Sequence, residues 1–141
     1  MAEAPAPELA SSHSSVRVRF CETDMMGVVH HANYLVYCEA GRVDWLHKRG
    51  VSYGAWERLG LHLPVVEARV RYKQPARFED ELDIVTTLAE MSRVTVRFRY
   101  RVARGELVLC EAETLLACVG HDLALRRMPE DVRAVFLRGE T

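Results

Sequence analysis

The sequence has no long apolar run, no excess of one charge sign and only four cysteines, and each lack removes a class of protein. Its longest apolar stretches, such as Leu115-Leu116-Ala117-Cys118-Val119, fall far short of the ~20 residues a membrane-spanning helix requires. Nineteen Lys and Arg stand against twenty Asp and Glu, a formal net charge of −1, so the basic footprint of a protein that holds nucleic acid is missing. Cys21, Cys38, Cys110 and Cys118 form no Cys-x-x-Cys pair and no short Cys/His cluster, which argues against a disulfide framework or a structural metal. Reduced core thiols of a cytoplasmic protein are expected instead. Residues Met1 to Ser15 lack both the basic start and the apolar core of a secretory signal. They read as a disordered tail over 1–15, ahead of a single domain over 16–141.

What is present is an ordinary globular composition. The 141 residues are 49% hydrophobic and 28% charged, enough for one core that needs no staples. From Val16, the alternation of Val16, Val18 and Phe20 with Arg17, Arg19 and Cys21 predicts a strand with one buried face. Glu22 to Ala32 follows neither period and reads as a loop. Across Asn33 to Arg49, Tyr34, Cys38, Gly41 and Trp45 recur at helical spacing with Leu35 and Leu46 beside them. Asn33 is the expected N-cap and Gly50 the expected C′ residue. Gly41 inside this helix costs up to about 1 kcal/mol against Ala, so a close approach to a sheet is expected there. A short helix is predicted over Ser52 to Leu59, stopped by Gly60. Strands follow after Pro64 (Val66, Ala68, Val70, Tyr72), over Leu82 to Glu90, over Val94 to Ala103 and over Glu106 to Gly120, the last apolar on both faces in its middle. A short strand near Leu123 to Arg127 and a helix from Pro129 at N1 to Leu137 complete the chain. A block of consecutive strands after one long helix predicts an α+β fold with a largely antiparallel sheet.

One dense polar constellation interrupts the apolar pattern, Glu22-Thr23-Asp24-Met25-Met26-Gly27-Val28-Val29-His30-His31-Ala32-Asn33-Tyr34. It precedes the long helix, whose start offers backbone N–H groups and partial positive charge to a polarised carbonyl or oxyanion. Asp24 is then placed to act on what that site holds, or it forms only a turn with Gly27. Adjacent His30 and His31 lack a third well-spaced metal ligand. Neither Cys21 nor Cys38 has the context of a nucleophile, and no Gly-x-Ser-x-Gly elbow is present. Arg93, Arg97, Arg99 and Arg101 read as a solvated strand face that could also meet a phosphorylated ligand.

On these residues the chain resembles the 4-hydroxybenzoyl-CoA thioesterase family of hotdog-fold acyl-CoA thioesterases, and within it is similar to the Tol-Pal-associated bacterial branch. The likeness runs through Val16-Arg17-Val18-Arg19-Phe20, Glu22-Thr23-Asp24, Gly27-Val28-Val29, His31-Ala32-Asn33-Tyr34-Leu35 and Glu39-Ala40-Gly41-Arg42. It continues over Tyr72 to Leu82. It implies a curved antiparallel sheet of five or six strands wrapped around one long helix. Asp24 takes the position of the catalytic carboxylate, as nucleophile or general base. His31 matches the residue whose backbone N–H polarises the thioester oxygen. Gly27, Val28, Val29, His30, Asn33 and Tyr34 fall on the substrate-binding run. The implied partners are an acyl-CoA ester, or an acyl carrier protein as donor, and a second copy of the chain in a homodimer or homotetramer with the site at the interface. No metal and no cofactor beyond the CoA of the substrate is implied. Many relatives have Tyr at the place of His30 and Ala at that of Gly41, which bears on the acyl pocket and on helix packing. Glu39 matches the helix-borne carboxylate of another branch and reads as structural here. Arg71 and Arg77 follow the pattern near the CoA-binding surface. A hotdog hydratase or dehydratase and a non-catalytic acyl-thioester-binding partner are the alternative functions.

Overall fold

The computed structural model describes residues 10–141. Five strands, β1 (Ser11–Arg17), β2 (Val65–Tyr72), β3 (Glu81–Met91), β4 (Thr95–Arg104) and β5 (Leu107–Ala117), form one antiparallel sheet in the order β1-β3-β4-β5-β2. Among the described residues, α1 (Asn33–His47), α2 (Tyr53–Arg58) and α3 (Glu130–Leu137) accompany it, with a 3-10 turn at Phe20–Glu22. The ladder slips register between Leu88 and Glu90, Val102 and Ala103, and Val65 and Glu67. Such bulges bend and twist a sheet, and here they accompany its curvature around α1, which packs on β1, β3, β4 and β5.

The inner face follows from period-two patterning. Leu82, Ile84 and Leu88 of β3, Val96, Phe98, Tyr100 and Val102 of β4, and Cys110, Ala112 and Leu116 of β5 are buried. Tyr34, Cys38, Gly41, Trp45 and Leu46 of α1 face them as expected, joined by Tyr37. Leu35, expected in that stripe, lies on the exposed side. A Cβ on Gly41 would sit 2.6 Å from Thr86 Oγ1 and 2.8 Å from Ile84 Cγ2, so the close approach is real. Trp45, fully buried, packs edge-on to Phe98 and stacks on Phe136 of α3, while the Arg49 guanidinium lies 3.5 Å above its ring. Gly50, at φ +81°, closes α1 in a Schellman motif: its N–H donates to His47 O and that of Val51 to Leu46 O. Gly60 ends α2 in the same way, with donations from Gly60 to Glu57 and from Leu61 to Trp56.

Several expectations are corrected. The disordered tail expected over 1–15 is overturned for Ser11 to Ser15, which pair with Asp83 to Thr87 as part of β1, while residues 1–9 lie outside those described. Ser12 is buried against the Arg49 guanidinium (2.7 Å), Ser11 Oγ meets Thr87 Oγ1 at 2.8 Å, and Trp45 Nε1 donates to Ala10 O at 3.0 Å. Polar pairing rather than an apolar face holds this stretch. The strand expected through Cys21 stops at Arg17, and Phe20 turns outward to 74% exposure against Phe78. No ladder forms over Leu123 to Arg127, where Leu123 takes φ +65° and only an isolated Val119–Leu125 bridge remains. Asn33 is the first helical residue rather than the cap, and Pro129 is the cap of α3 rather than its first residue.

At one edge of the sheet, β2 has only β5 beside it among the described residues and is exposed along its length apart from half-buried Val70. Its Ala68, Val70 and Tyr72 share a face with Thr114, Ala112 and Cys110. On the opposite, outer face two rows of charge run across three strands: Arg69, Glu113, Arg99, and Arg71, Glu111, Arg101. Glu113 pairs with Arg97 and Arg99, and Arg97 also with Glu90. Of the arginine stripe, Arg97 and Arg99 are thus answered by carboxylates and Arg101 stands opposite Glu111.

Candidate active site

The polar constellation folds as a loop, residues 23–32, between the 3-10 turn and α1. Its tip is tight: the Gly27 N–H donates to Asp24 O (3.0 Å), the Asp24 N–H to Val28 O (2.8 Å) and the Met26 N–H to Asp24 Oδ1 (2.8 Å). Gly27 sits at φ +79°, where a side chain would be strained. Asp24 thus does form a turn, but only one carboxylate oxygen is used by it; Oδ2 accepts from no described residue. The loop is pinned to the segment after β2 by the Val29 N–H donating to Ala76 O (2.9 Å) and by a Val28–Arg77 bridge.

At the base of the loop stands Glu22, 7% exposed. Its Oε1 accepts from the Arg19 N–H (2.8 Å) and the Tyr37 hydroxyl (2.9 Å), and its Oε2 from Arg19 Nε (3.0 Å). Its carbonyl accepts from the His30 N–H (2.8 Å) and from Asn33 Nδ2 (2.9 Å). Burial alone would raise the Glu22 carboxyl; the hydrogen bonds from Arg19 and Tyr37 outweigh it and hold the group below the usual carboxylate range. The Tyr37 phenol is pushed up by burial and by donating to that carboxylate.

The start of α1 presents fewer free donors than the sequence suggests. The N–H groups of Asn33, Tyr34 and Leu35 turn back onto the carbonyls of His30, His31 and Ala32, and that of Ala32 meets His30 Nδ1 at 3.3 Å. The His31 N–H, just ahead of the helix, donates to no acceptor among the described residues. Its carbonyl accepts from the Tyr72 hydroxyl (3.0 Å), its ring stands edge-on to Tyr72, and the His30 ring lies against it at 4.2 Å.

Two clefts meet at Asp24. One of about 320 Å³ is bounded by Asp24, Val28, Val29, His31 and Tyr34 together with the Tyr72–Pro75 corner that follows β2. The other, about 800 Å³, lies between Asp24, Gly27, His30 and Asn33 on one side and the Phe20–Phe78 pair on the other. All eight residues singled out in the sequence therefore come to this locus, divided between two clefts, with the Asn33 amide already committed to Glu22. Glu39 is exposed on α1 and lines neither cleft. The sequence did not assign Tyr72, Lys73, Phe20 or Phe78 to the site. Periodicity marks Tyr72 only as a strand residue, and its approach to His31 is made by the fold. Burial raises the Tyr34 phenol against the opposing donation of the Ala76 N–H (3.0 Å), so it stays neutral at the cleft wall. Among the described residues, no group of three His, Cys, Asp or Glu is placed to hold a metal. A carboxylate with an oxygen open to the cleft and a nearby unmatched amide N–H suit attack on a polarised carbonyl.

Comparison with known proteins agrees with this architecture. Residues 18–136 match the Thioesterase-like superfamily. The Acyl-CoA thioester hydrolase YbgC of Escherichia coli O6:H1 is 33% identical over 123 residues, covering 86% of this chain and 92% of that protein. The Acyl-CoA thioesterase YbgC of Haemophilus influenzae is 32% identical over 86% of this chain and 90% of its own. Among solved structures, the DHNA-CoA thioesterase of Staphylococcus aureus superposes with a TM-score of 0.85 at 27% identity, covering 89% of this chain and 88% of that one. Sequence match, sheet order and the strand-helix-strand arrangement agree, and the chain belongs to the Thioesterase-like superfamily of hotdog-fold proteins.

Proposed function

We propose that this protein is a thioester hydrolase that converts an acyl-CoA to the free acid and CoA, with Asp24 driving attack on the thioester carbonyl. The observation that carries this is the pairing, in one cleft, of the Asp24 carboxylate with the unmatched His31 N–H. Water, its proton drawn by Asp24, adds to the carbonyl carbon. The negative charge on the former carbonyl oxygen is met by the His31 N–H. Collapse breaks the carbon–sulfur bond, and the departing CoA thiolate takes the proton from Asp24. In the nucleophilic variant Asp24 itself adds to the carbonyl, expels the thiolate, and water then opens the resulting anhydride. Gly27, Val28, Val29, His30, Asn33 and Tyr34 shape the two clefts around the reacting group, and the chemistry asks for no metal or added cofactor.

The same reading extends to assembly and setting. The apolar face of β2, where Val66 is exposed at one end and Tyr72 at the other end beside the cleft, fits a second copy of the chain that would wall the site, as homodimer or homotetramer. An acyl carrier protein can present the same thioester, and a cytoplasmic location suits the reduced thiols. Membership of the 4-hydroxybenzoyl-CoA group and its Tol-Pal-associated branch rests on the Asp24 to Tyr34 motif.

Thiol release from acetyl-, butyryl-, decanoyl-, palmitoyl- and benzoyl-CoA by wild type and Asp24→Asn tests the proposal. Turnover of at least one ester is expected, falling about 10²- to 10⁴-fold in the folded variant. Full turnover by Asp24→Asn would remove Asp24 from the mechanism. Ester binding without turnover in the wild type would favour the non-catalytic binding role, and water addition to 2-enoyl thioesters a hydratase.

A further inference from the structure

Glu22 is a buried, fully engaged carboxylate beside the site whose function the reaction itself does not explain. It cannot act on substrate directly, because it is nearly buried and both carboxylate oxygens are already engaged. Yet it bonds to both ends of the loop bearing Asp24. Through Arg19 it closes the turn that precedes the loop, through Tyr37 it reaches the second turn of α1, and through its carbonyl it holds His30 and Asn33 at the loop's far end. Residues 22 and 30–33 are the two ends of the loop, so one residue ties them together and to the helix. Asp24 lies two residues from this anchor, and His31 one residue from the bonded His30 N–H.

We infer that Glu22 is a positioning residue: its ionised carboxylate, locked to Tyr37 and Arg19, sets where Asp24 and the His31 N–H stand relative to each other. This rests on the reading of Asp24 as the group that drives hydrolysis. A purely structural carboxylate would stabilise the fold without bias toward the transition state. A clamp that spans both reacting groups changes turnover more than substrate binding, since displacing a reacting group by about 1 Å can cost on the order of 100-fold in rate.

Glu22→Gln keeps the shape but turns an amide N–H₂ toward the Arg19 donors, and Tyr37→Phe removes one hydrogen bond while leaving the ring. With both variants verified as folded at the assay temperature, Glu22→Gln is expected to lower kcat about 10- to 100-fold with KM within about twofold. Tyr37→Phe is expected to fall in the same direction by a smaller factor. The decisive comparison is a double-mutant cycle: if Glu22 acts through Asp24, adding Glu22→Gln to Asp24→Asn lowers the residual rate no further. An inactive Asp24→Asn beside a Glu22→Gln enzyme with wild-type kcat would overturn the clamp and leave the Asp24 reading standing. Fully additive losses in the cycle, or a Glu22→Gln loss confined to thermal stability, would overturn it as well. An Asp24→Asn enzyme that keeps its activity would remove the reading on which the clamp depends, and the clamp with it.

Discussion

Along its second half α1 buries Gly41, Trp45 and Leu46 against the sheet, whereas His30, His31 and Ala32, leading into its N-terminal end, stand at the surface, held by hydrogen bonds to Glu22 and Tyr72. One end is fixed by contact over a large apolar area, the other by a few directional bonds. Packing of the first kind resists displacement because every neighbour must move together. The hydrogen-bonded end leaves donors, acceptors and open volume at the surface, which is what a site needs. The helix thus joins a part that supplies stability to a part that supplies chemistry, and the two should fail in different ways.

That separation is broken most directly by Trp45→Ala. Removing a fully buried indole wedged between Phe98, Phe136 and Arg49 should cost about 3 to 5 kcal/mol in denaturant unfolding. This is a large part of the roughly 5 to 15 kcal/mol that holds a domain together. Turnover per folded molecule should change far less than in Asp24→Asn, which in turn should leave the unfolding midpoint near wild type. Gly41→Ala should cost less, about 1 to 3 kcal/mol, because its new methyl must displace Thr86 and Ile84, both stiff β-branched side chains. The smallest effect sharpens the comparison at the other end. The Glu22 carboxyl is held below its unfolded value of about 4.3, so its contribution is fully present above that pH and is lost as pH falls through the lower folded value. Unfolding free energy of wild type should therefore fall more steeply than that of Glu22→Gln on acidification below about pH 4.3, a difference that chemical denaturation across pH 3 to 6 would measure.

Legibility in the sequence followed the same division. Gly50 and Gly60 announced their helix ends and Gly41 its close contact, because each requirement is local or depends on one neighbouring layer. The Asp24 to Tyr34 run was legible because its residues are contiguous. The start of β1 was not, since Ser11 to Ser15 carry no apolar alternation and are held by Thr87 and Arg49, distant in sequence. Phe20 was misplaced because nothing in its own residues signals that the strand ends at Arg17. Tyr72 joins the site only when β2 is laid beside β5 and brought against the loop, and the double duty of Glu22 depends on Tyr37 and on the path the loop takes back to it.

The open side of β2 also bears on how the protein behaves when crowded. From Val65 to Tyr72, alternate backbone amides and carbonyls face away from β5 with no strand among the described residues beside them. Such a border is a template on which unrelated extended chains can add and aggregation can begin. Glu67, Arg69 and Arg71 sit along it, and an indiscriminate strand would have to strip their water. The charges that look like decoration on the outer face therefore act as gatekeepers, making the border selective for an opposing surface that can answer them.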